Sequence, residues 1–274
     1  VKSVGGGLPV KPPQFRCSTE IRLCMYQSYP LPELPQTVPQ PGSIVTTALG
    51  DVRIIRAIGR GKSGYSYEAA LGQRRVVFKQ MHDEPCTYYS FEDSKTRLEE
   101  KDYFRLRDMG IHVPRLLHVG HEGSFLIKEY ISGPTAAEVI ASELPDREII
   151  AQLFDIARKC RTFGKNIDYF PTNFVIENGC LYYVDYETNT FDPRWSLEHW
   201  GAYFWANCAG WHNFLQTGSS SLLHSDPDNG IPLKEPFEPI VRQWISDFGE
   251  TGGQQAAAAA PPFLDPVTKS GEAP

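Results

Sequence analysis

The sequence predicts an α+β fold in two lobes, a small antiparallel-sheet lobe followed by a mainly helical one. Three observations point there. β-Former runs flank a glycine-rich turn at 59–64, a second strand pair ends in the run FLIKEYI at 125–131, and from Asp146 onward apolar residues recur at helical spacing.

Residues 1–43 are crowded with proline and glycine, as in LPVKPP and YPLPELPQTVPQPG, which keeps a backbone out of helices and sheet ladders. They are expected to form a mobile arm. Residues 44–131 are expected to carry the sheet. Within them 52–58 and 65–70 read as strands around the glycine turn, and 74–80 holds the compact run Val76-Val77-Phe78 of a third strand. Residues 92–109 read as a helix, opened by Asp93 or Ser94 and closed by Gly110, where a left-handed residue is wanted. A strand pair then brackets 120–123.

Residues 132–250 are expected to be mainly helical. Asp146 can cap a segment whose Ile149, Ile150, Leu153, Ile156, Ala157 and Cys160 make one apolar face that ends near Gly164. Asn178-Gly179, between Phe174-Val175-Ile176 and Leu181-Tyr182-Tyr183-Val184, is the strongest short-range hairpin signal in the chain. The run SLEHWGAYFW at 196–205 reads as a helix with Leu197, Trp200, Tyr203 and Phe204 on a broad apolar face. Residues 251–274 are low in complexity and broken by proline pairs, so a second mobile tail is expected.

Charge narrows the partners. With 27 Lys and Arg against 33 Asp and Glu, the formal charge of −6 offers no broad attraction to nucleic acid or anionic lipid. No stretch approaches the 18 or more apolar residues of a membrane span. The start lacks the continuous apolar core of a signal peptide, so a cytoplasmic location is the expectation; the chain begins at Val1 rather than Met, which leaves a preceding leader open. Cysteines 17, 24, 86, 160, 180 and 208 form no C-x-x-C pair and are expected to be reduced. His118 and His121 have a poor spacing for zinc and are expected to be solvated loop residues.

The chemistry rests on three elements. The first is Gly59-Arg60-Gly61-Lys62-Ser63-Gly64, a G-x-G-x-x-G run. A dinucleotide site needs a helix after such a turn, whereas Tyr65-Ser66-Tyr67-Glu68 continues as strand, which suits a flap over phosphates. A P-loop is excluded because Arg56 stands where its first glycine belongs. The second element is Lys79, fifteen residues beyond Gly64, placed to neutralise α- and β-phosphates if a carboxylate orients it. Glu99, at the border of the helix's apolar stripe, is the expected partner in preference to Glu100. The third is the run Asn166-Ile167-Asp168-Tyr169-Phe170-Pro171-Thr172-Asn173, followed by the hairpin and then Asp185. Moving a γ-phosphoryl group needs a base to orient the acceptor hydroxyl and oxygen ligands for magnesium. Asp168 fits the base, and Asn173 with Asp185 fits the metal ligands.

In these motifs the chain resembles the protein-kinase-like superfamily, and within it the compact members: lipopolysaccharide-core kinases, RIO-type atypical kinases and small-molecule phosphotransferases. The likeness runs from about Ile54 to Trp205. It implies ATP and Mg²⁺ as cofactors and a cleft between the two lobes. It also implies that Glu129-Tyr130-Ile131 presents backbone groups to adenine, with Gly133-Pro134-Thr135 leading away. Where relatives show H-x-D-L-H-P-x-N, this chain has Asn166 for the first histidine and Phe170 at a position that often holds a cation. Where they show D-F-G, it has Asp185-Tyr186-Glu187. Nine residues separate Asp185 from Trp195 without an A-P-E motif, so the peptide-docking segment of regulated protein kinases is missing. An unidentified small-molecule or atypical hydroxyl acceptor is therefore expected. The rival is a nucleotide-binding pseudokinase, which Phe170 and Glu187 favour; a plain interaction module would explain the ends and leave the centre unexplained.

Overall fold

The computed structural model describes residues 34–84, 93–227 and 229–249. The expected tail 251–274, most of the expected arm, and Cys17, Cys24 and Cys86 lie outside them. The chain is α+β. Strands β1 (Ile44–Thr47), β2 (Gly50–Arg60), β3 (Gly64–Leu71) and β4 (Arg74–Met81) run in order, helix α1 (Lys95–Asp108) follows, and β5 (Leu116–Gly120) and β6 (Phe125–Glu129) complete a six-stranded sheet. Its order is β1-β2-β3-β4-β6-β5 and every neighbouring pair is antiparallel.

Alternation along β4 decides what faces the site. Val76 and Phe78 enter an apolar cluster with Val52, Ile54, Tyr65, Tyr67, Ala69 and Ile127 on one face. Lys79 and Met81 take the other, where Met81 and Leu126 pack with Tyr103 and Leu106 of α1. The end of the proline-rich arm belongs to the first cluster. Val38 is buried there, Leu34 packs against it, and Gly42 N–H donates to the Ile54 carbonyl at 2.9 Å.

Beyond β6 come α2 (Ala136–Ser142), α3 (Arg147–Thr162), β7 (Lys165–Asn166), the hairpin β8 (Phe174–Glu177) and β9 (Cys180–Tyr183), and β10 (Asn189–Thr190), which pairs with β7. A π-helical turn at Leu197–Gly201 leads into α4 (Ala202–Ala206) and α5 (Cys208–Thr217); β11 (His224–Asp226), β12 (Ile231–Pro232) and α6 (Glu238–Phe248) close the described part. A second, larger apolar core joins α2 to α6 with the hairpin and the inner face of α1.

Several local expectations need correction. Helix α1 begins at Lys95, three residues late, and Ser94 holds the cap position without capping, because its hydroxyl pairs with that of Thr96 at 2.9 Å. Asp146 likewise precedes α3 without a side-chain cap bond. The expected helix 196–205 is a π turn followed by five α residues, with Leu197 and Phe204 buried but Trp200 and Tyr203 only half-buried. His118 lies on β5 rather than in a loop, its ring 5.8 Å from that of Phe125, while His121 stands 3.4 Å from Glu100. Helices α2, α5 and α6 were not expected. α2 opens on a capping box, with the Thr135 hydroxyl accepting from Glu138 N–H and the Glu138 carboxylate accepting from Thr135 N–H. Among the described residues the free cysteines are Cys160, Cys180 and Cys208. No helix of the described residues is long and apolar enough to cross a membrane.

The glycines of the turn differ in role. A Cβ on Gly64 would stand 2.5 Å from the Gln80 carbonyl oxygen, whereas one on Gly61 would meet nothing within 4 Å. We therefore expect Gly64→Ala to destabilise the fold by about 1–3 kcal/mol, the usual cost of overpacking, and Gly61→Ala to stay within about 0.5 kcal/mol. Urea unfolding of the two variants checks this; equal midpoints would contradict it.

Candidate active site

A cavity of about 290 Å³ lies between the sheet and the helical part. Its lining includes Gly59, Gly61 and Gly64 of the glycine turn, Lys79 and Lys128 of the sheet, and Glu129, Ile131 and Gly133 of the connection that follows β6. Asn173 and Asp185, at the two ends of the hairpin, line it from the other side. Asp168 is not among the lining residues; the charges of Glu187 and Asp185 act on it.

Lys79 is the centre of the site. Its side chain is 7% exposed, and its ammonium reaches Glu99 Oε1 at 2.5 Å and Asp185 Oδ1 at 3.2 Å. Glu99 rather than Glu100 is thus the partner, and it also accepts from the Ser63 hydroxyl at 2.9 Å, which ties the glycine turn to α1. Burial works against the Lys79 ammonium, but the Asp185 and Glu99 carboxylates outweigh it and hold its pKa above the ordinary lysine value. Burial also pushes against the Asp185 carboxylate, and Lys79, Lys128 and Lys62 together hold it below the usual range. The Glu99 carboxyl is raised by burial despite Lys79.

Asp168 is placed by its loop. Its Oδ1 accepts from Phe170 N–H at 3.0 Å, and the Asn173 amide donates to its backbone carbonyl at 3.4 Å. Burial is the main cause that pushes its carboxyl up to about 6, with Glu187 and Asp185 adding to it and Phe170 N–H opposing. The loop is anchored from behind. Trp205 Nε1 donates to the Tyr169 carbonyl at 2.8 Å, and Gly201 approaches Tyr169 so closely that a Cβ would lie 2.5 Å from Tyr169 Cβ. Asn166, where a histidine was the family expectation, donates to the Asp192 carbonyl at 2.8 Å and so braces the loop to the chain beyond β10. Phe170 points into an aromatic cluster, 4.9 Å from both Phe204 and Trp211.

The segment after β9 is fixed as firmly. Asp185 Oδ1 accepts from Tyr186 N–H at 3.0 Å, and the Tyr186 hydroxyl donates to the Pro114 carbonyl. The connection after β6 passes close to the hairpin, since a Cβ on Gly133 would lie 2.0 Å from the Ile176 carbonyl oxygen. Asn178 and Gly179 take positive φ, 52° and 76°, as the hairpin turn requires.

Sequence reasoning missed two lysines. Lys128 lies in register beside Val77, its ammonium donates to the Val184 carbonyl, and it stands 4.6 Å over the Tyr186 ring. Burial, and then the charge of Lys79, bring it down to about 8. Strand alternation with Leu126 was the signal for it. Lys62, inside the glycine turn, reaches Glu187 Oε1 at 2.5 Å across 125 residues of sequence, and no local pattern encodes that.

Among the described residues no group of three or more His, Cys, Asp or Glu forms a metal cage. The Asn173 amide oxygen and the Asp185 carboxylate are nonetheless hard oxygen donors on one cavity wall. That donor set fits magnesium, which keeps several waters and takes further oxygens from phosphate.

Removing Lys79 strands buried carboxylate. We expect Lys79→Met to cost about 3–5 kcal/mol of unfolding free energy, and Lys79→Met with Glu99→Gln to recover part of it. Denaturant unfolding of the three variants, including Glu99→Gln alone, gives the coupling; strictly additive losses would contradict the pair's role. No family model matches the chain and no curated protein matches it.

Proposed function

We propose that the cavity binds ATP with magnesium and that the protein transfers the γ-phosphoryl group to a hydroxyl acceptor. The observation that carries this is the buried Lys79 ammonium held between Glu99 and Asp185 under a glycine turn. A cation fixed in that way suits α- and β-phosphates. In the same reading β1 to β6 with α1 make the N-terminal lobe of a protein-kinase-like fold and residues from 132 onward the C-terminal lobe. Glu129 and Ile131, on the connection between them, meet adenine through backbone groups.

Asn173 and Asp185 would hold magnesium, which supplies positive charge to the β- and γ-phosphate oxygens. Asp168 orients the acceptor hydroxyl and takes its proton. A carboxyl near pH 6 is ionised at neutral pH yet basic enough for that work. A nucleotide-binding module without transfer is the second reading. Phe170 favours it, because a side chain packed among Phe204 and Trp211 brings no cation to the transferring group.

A thermal melt with ATP and magnesium tests binding, because a ligand of the folded state raises Tm with the logarithm of its concentration. Asp185→Asn is expected to weaken the magnesium-dependent part of the shift while Asp168→Asn spares it. Labelled γ-phosphoryl transfer to a metabolite pool or to the chain itself tests chemistry, and Asp168→Ala is expected to lose it while still binding ATP. No Tm shift with any nucleotide would defeat both readings; binding without labelling would favour the second.

A further inference from the structure

We propose that Lys62, in the lining of the cavity and held by Glu187, is a further catalytic residue of this site, the cation that meets the transferring γ-phosphoryl group. This rests on the phosphotransferase reading above. Charge is the first argument. In the transition state of phosphoryl transfer, negative charge spreads over three equatorial oxygens. Three carboxylates bear on this side of the cavity, Asp185 in its lining and Asp168 and Glu187 just outside it, with the charges of Glu187 and Asp185 acting on Asp168. The two buried lysines are committed deeper in, Lys79 to Glu99 and Asp185 and Lys128 to the Val184 carbonyl. The loop between Asp168 and Asn173 reads Tyr169-Phe170-Pro171-Thr172 and contains no cation. Lys62 is the lysine whose charge acts on Asp168, and it acts on Asp185 as well.

Geometry is the second argument. Lys62 stands in the turn between β2 and β3, whose base is held by Gly61 N–H donating to the Gly64 carbonyl at 2.9 Å and by the His82 ring at 2.9 Å from the Gly61 carbonyl. From there its side chain crosses the cleft to Glu187, and the pair is 25% and 17% exposed. Glu187 is itself fixed. Its Oε1 also accepts from the Asn189 amide at 3.1 Å, and its carbonyl accepts from the Tyr183 hydroxyl at 3.2 Å. A long, flexible lysine loses much freedom when it is ordered, and a carboxylate that orders it beforehand removes that loss from the reaction itself. An ammonium has three donors, so Lys62 can keep Glu187 while meeting phosphate oxygen.

In the step, the acceptor oxygen bonds to the γ-phosphorus and the bridging P–O bond breaks, its electron pair leaving on ADP. The hydroxyl proton passes to Asp168. Lys62 keeps its proton throughout and acts as fixed charge.

The test measures calorimetric affinity for ATP with magnesium, release of labelled phosphate to water or to the chain, and Tm, in wild type, Lys62→Met and Lys62→Arg. The expected result for Lys62→Met is turnover lower by on the order of 10²–10³-fold, the usual effect of removing one transition-state donor. Its affinity should stay within about threefold of wild type, and its Tm without nucleotide reads separately the cost of leaving the mostly buried Glu187 carboxylate without its lysine. Lys62→Arg should restore most of the turnover. Wild-type turnover in Lys62→Met would overturn the proposal and leave the phosphotransferase reading standing. Faster turnover in that variant would overturn it too, showing that the ion pair only holds the turn closed. A wild type that binds ATP with magnesium yet releases no phosphate would defeat the phosphotransferase reading and this role together.

Discussion

The contact between Lys79 and the carboxylates of Glu99 and Asp185 sets the terms for everything around it. It joins three parts of the chain that share no sequence neighbourhood: the fourth strand of the sheet, the helix that follows it, and the segment leaving the 174–183 hairpin. Each group would be costly to bury alone; Lys79 pairs with both carboxylates, while Glu99 Oε2 is left buried without a hydrogen-bond partner. Because Glu99 also receives the Ser63 hydroxyl, the glycine turn is held in the same network. Turn, helix and hairpin are thereby linked through one cluster of charges.

The same cluster explains how the site tolerates so much charge. Lys79 and Lys128 balance Glu99 and Asp185, and the remaining carboxylates, Asp168 and Glu187, lie outside the lining, Glu187 paired with Lys62. Burial and these neighbours keep the Asp168 carboxyl near 6, a value that costs stability at neutral pH. The backing of that loop is correspondingly stiff, with Trp205, Gly201 and Asn166 all fastening it from behind.

Much of this was legible because local rules dictated it. Asn178-Gly179 had to be a tight hairpin turn, and both residues adopt positive φ. The threefold and fourfold spacing from Ile149 to Cys160 had to make one buried helix face, and those residues are buried. Glu99 was separable from Glu100 by its angle on the helix, and Lys79 by its spacing from the glycine turn. What was not legible depends on contacts distant in sequence. Residues 196–205 have the composition of a continuous helix, yet the chain enters through a π turn at Leu197–Gly201, where Gly201 lies against Tyr169. The short helix α2 carried its capping box in plain view at Thr135 and Glu138, but seven residues are too few to show a period. Lys62 resembles any lysine in a polar turn until Glu187 is brought to it.

Chemical labelling tests the central claim, that this cavity is a nucleotide site with its phosphates at Lys79, most directly. An ATP derivative carrying a lysine-reactive acyl phosphate at its terminal end should acylate a lysine of the cavity, Lys79 or the Lys62 that overhangs it, as mapped by mass spectrometry of the digested protein. Excess ATP with magnesium should suppress that label while exposed lysines such as Lys101 are unaffected. Labelling confined to surface lysines, or cavity labelling that ATP does not suppress, would contradict the account.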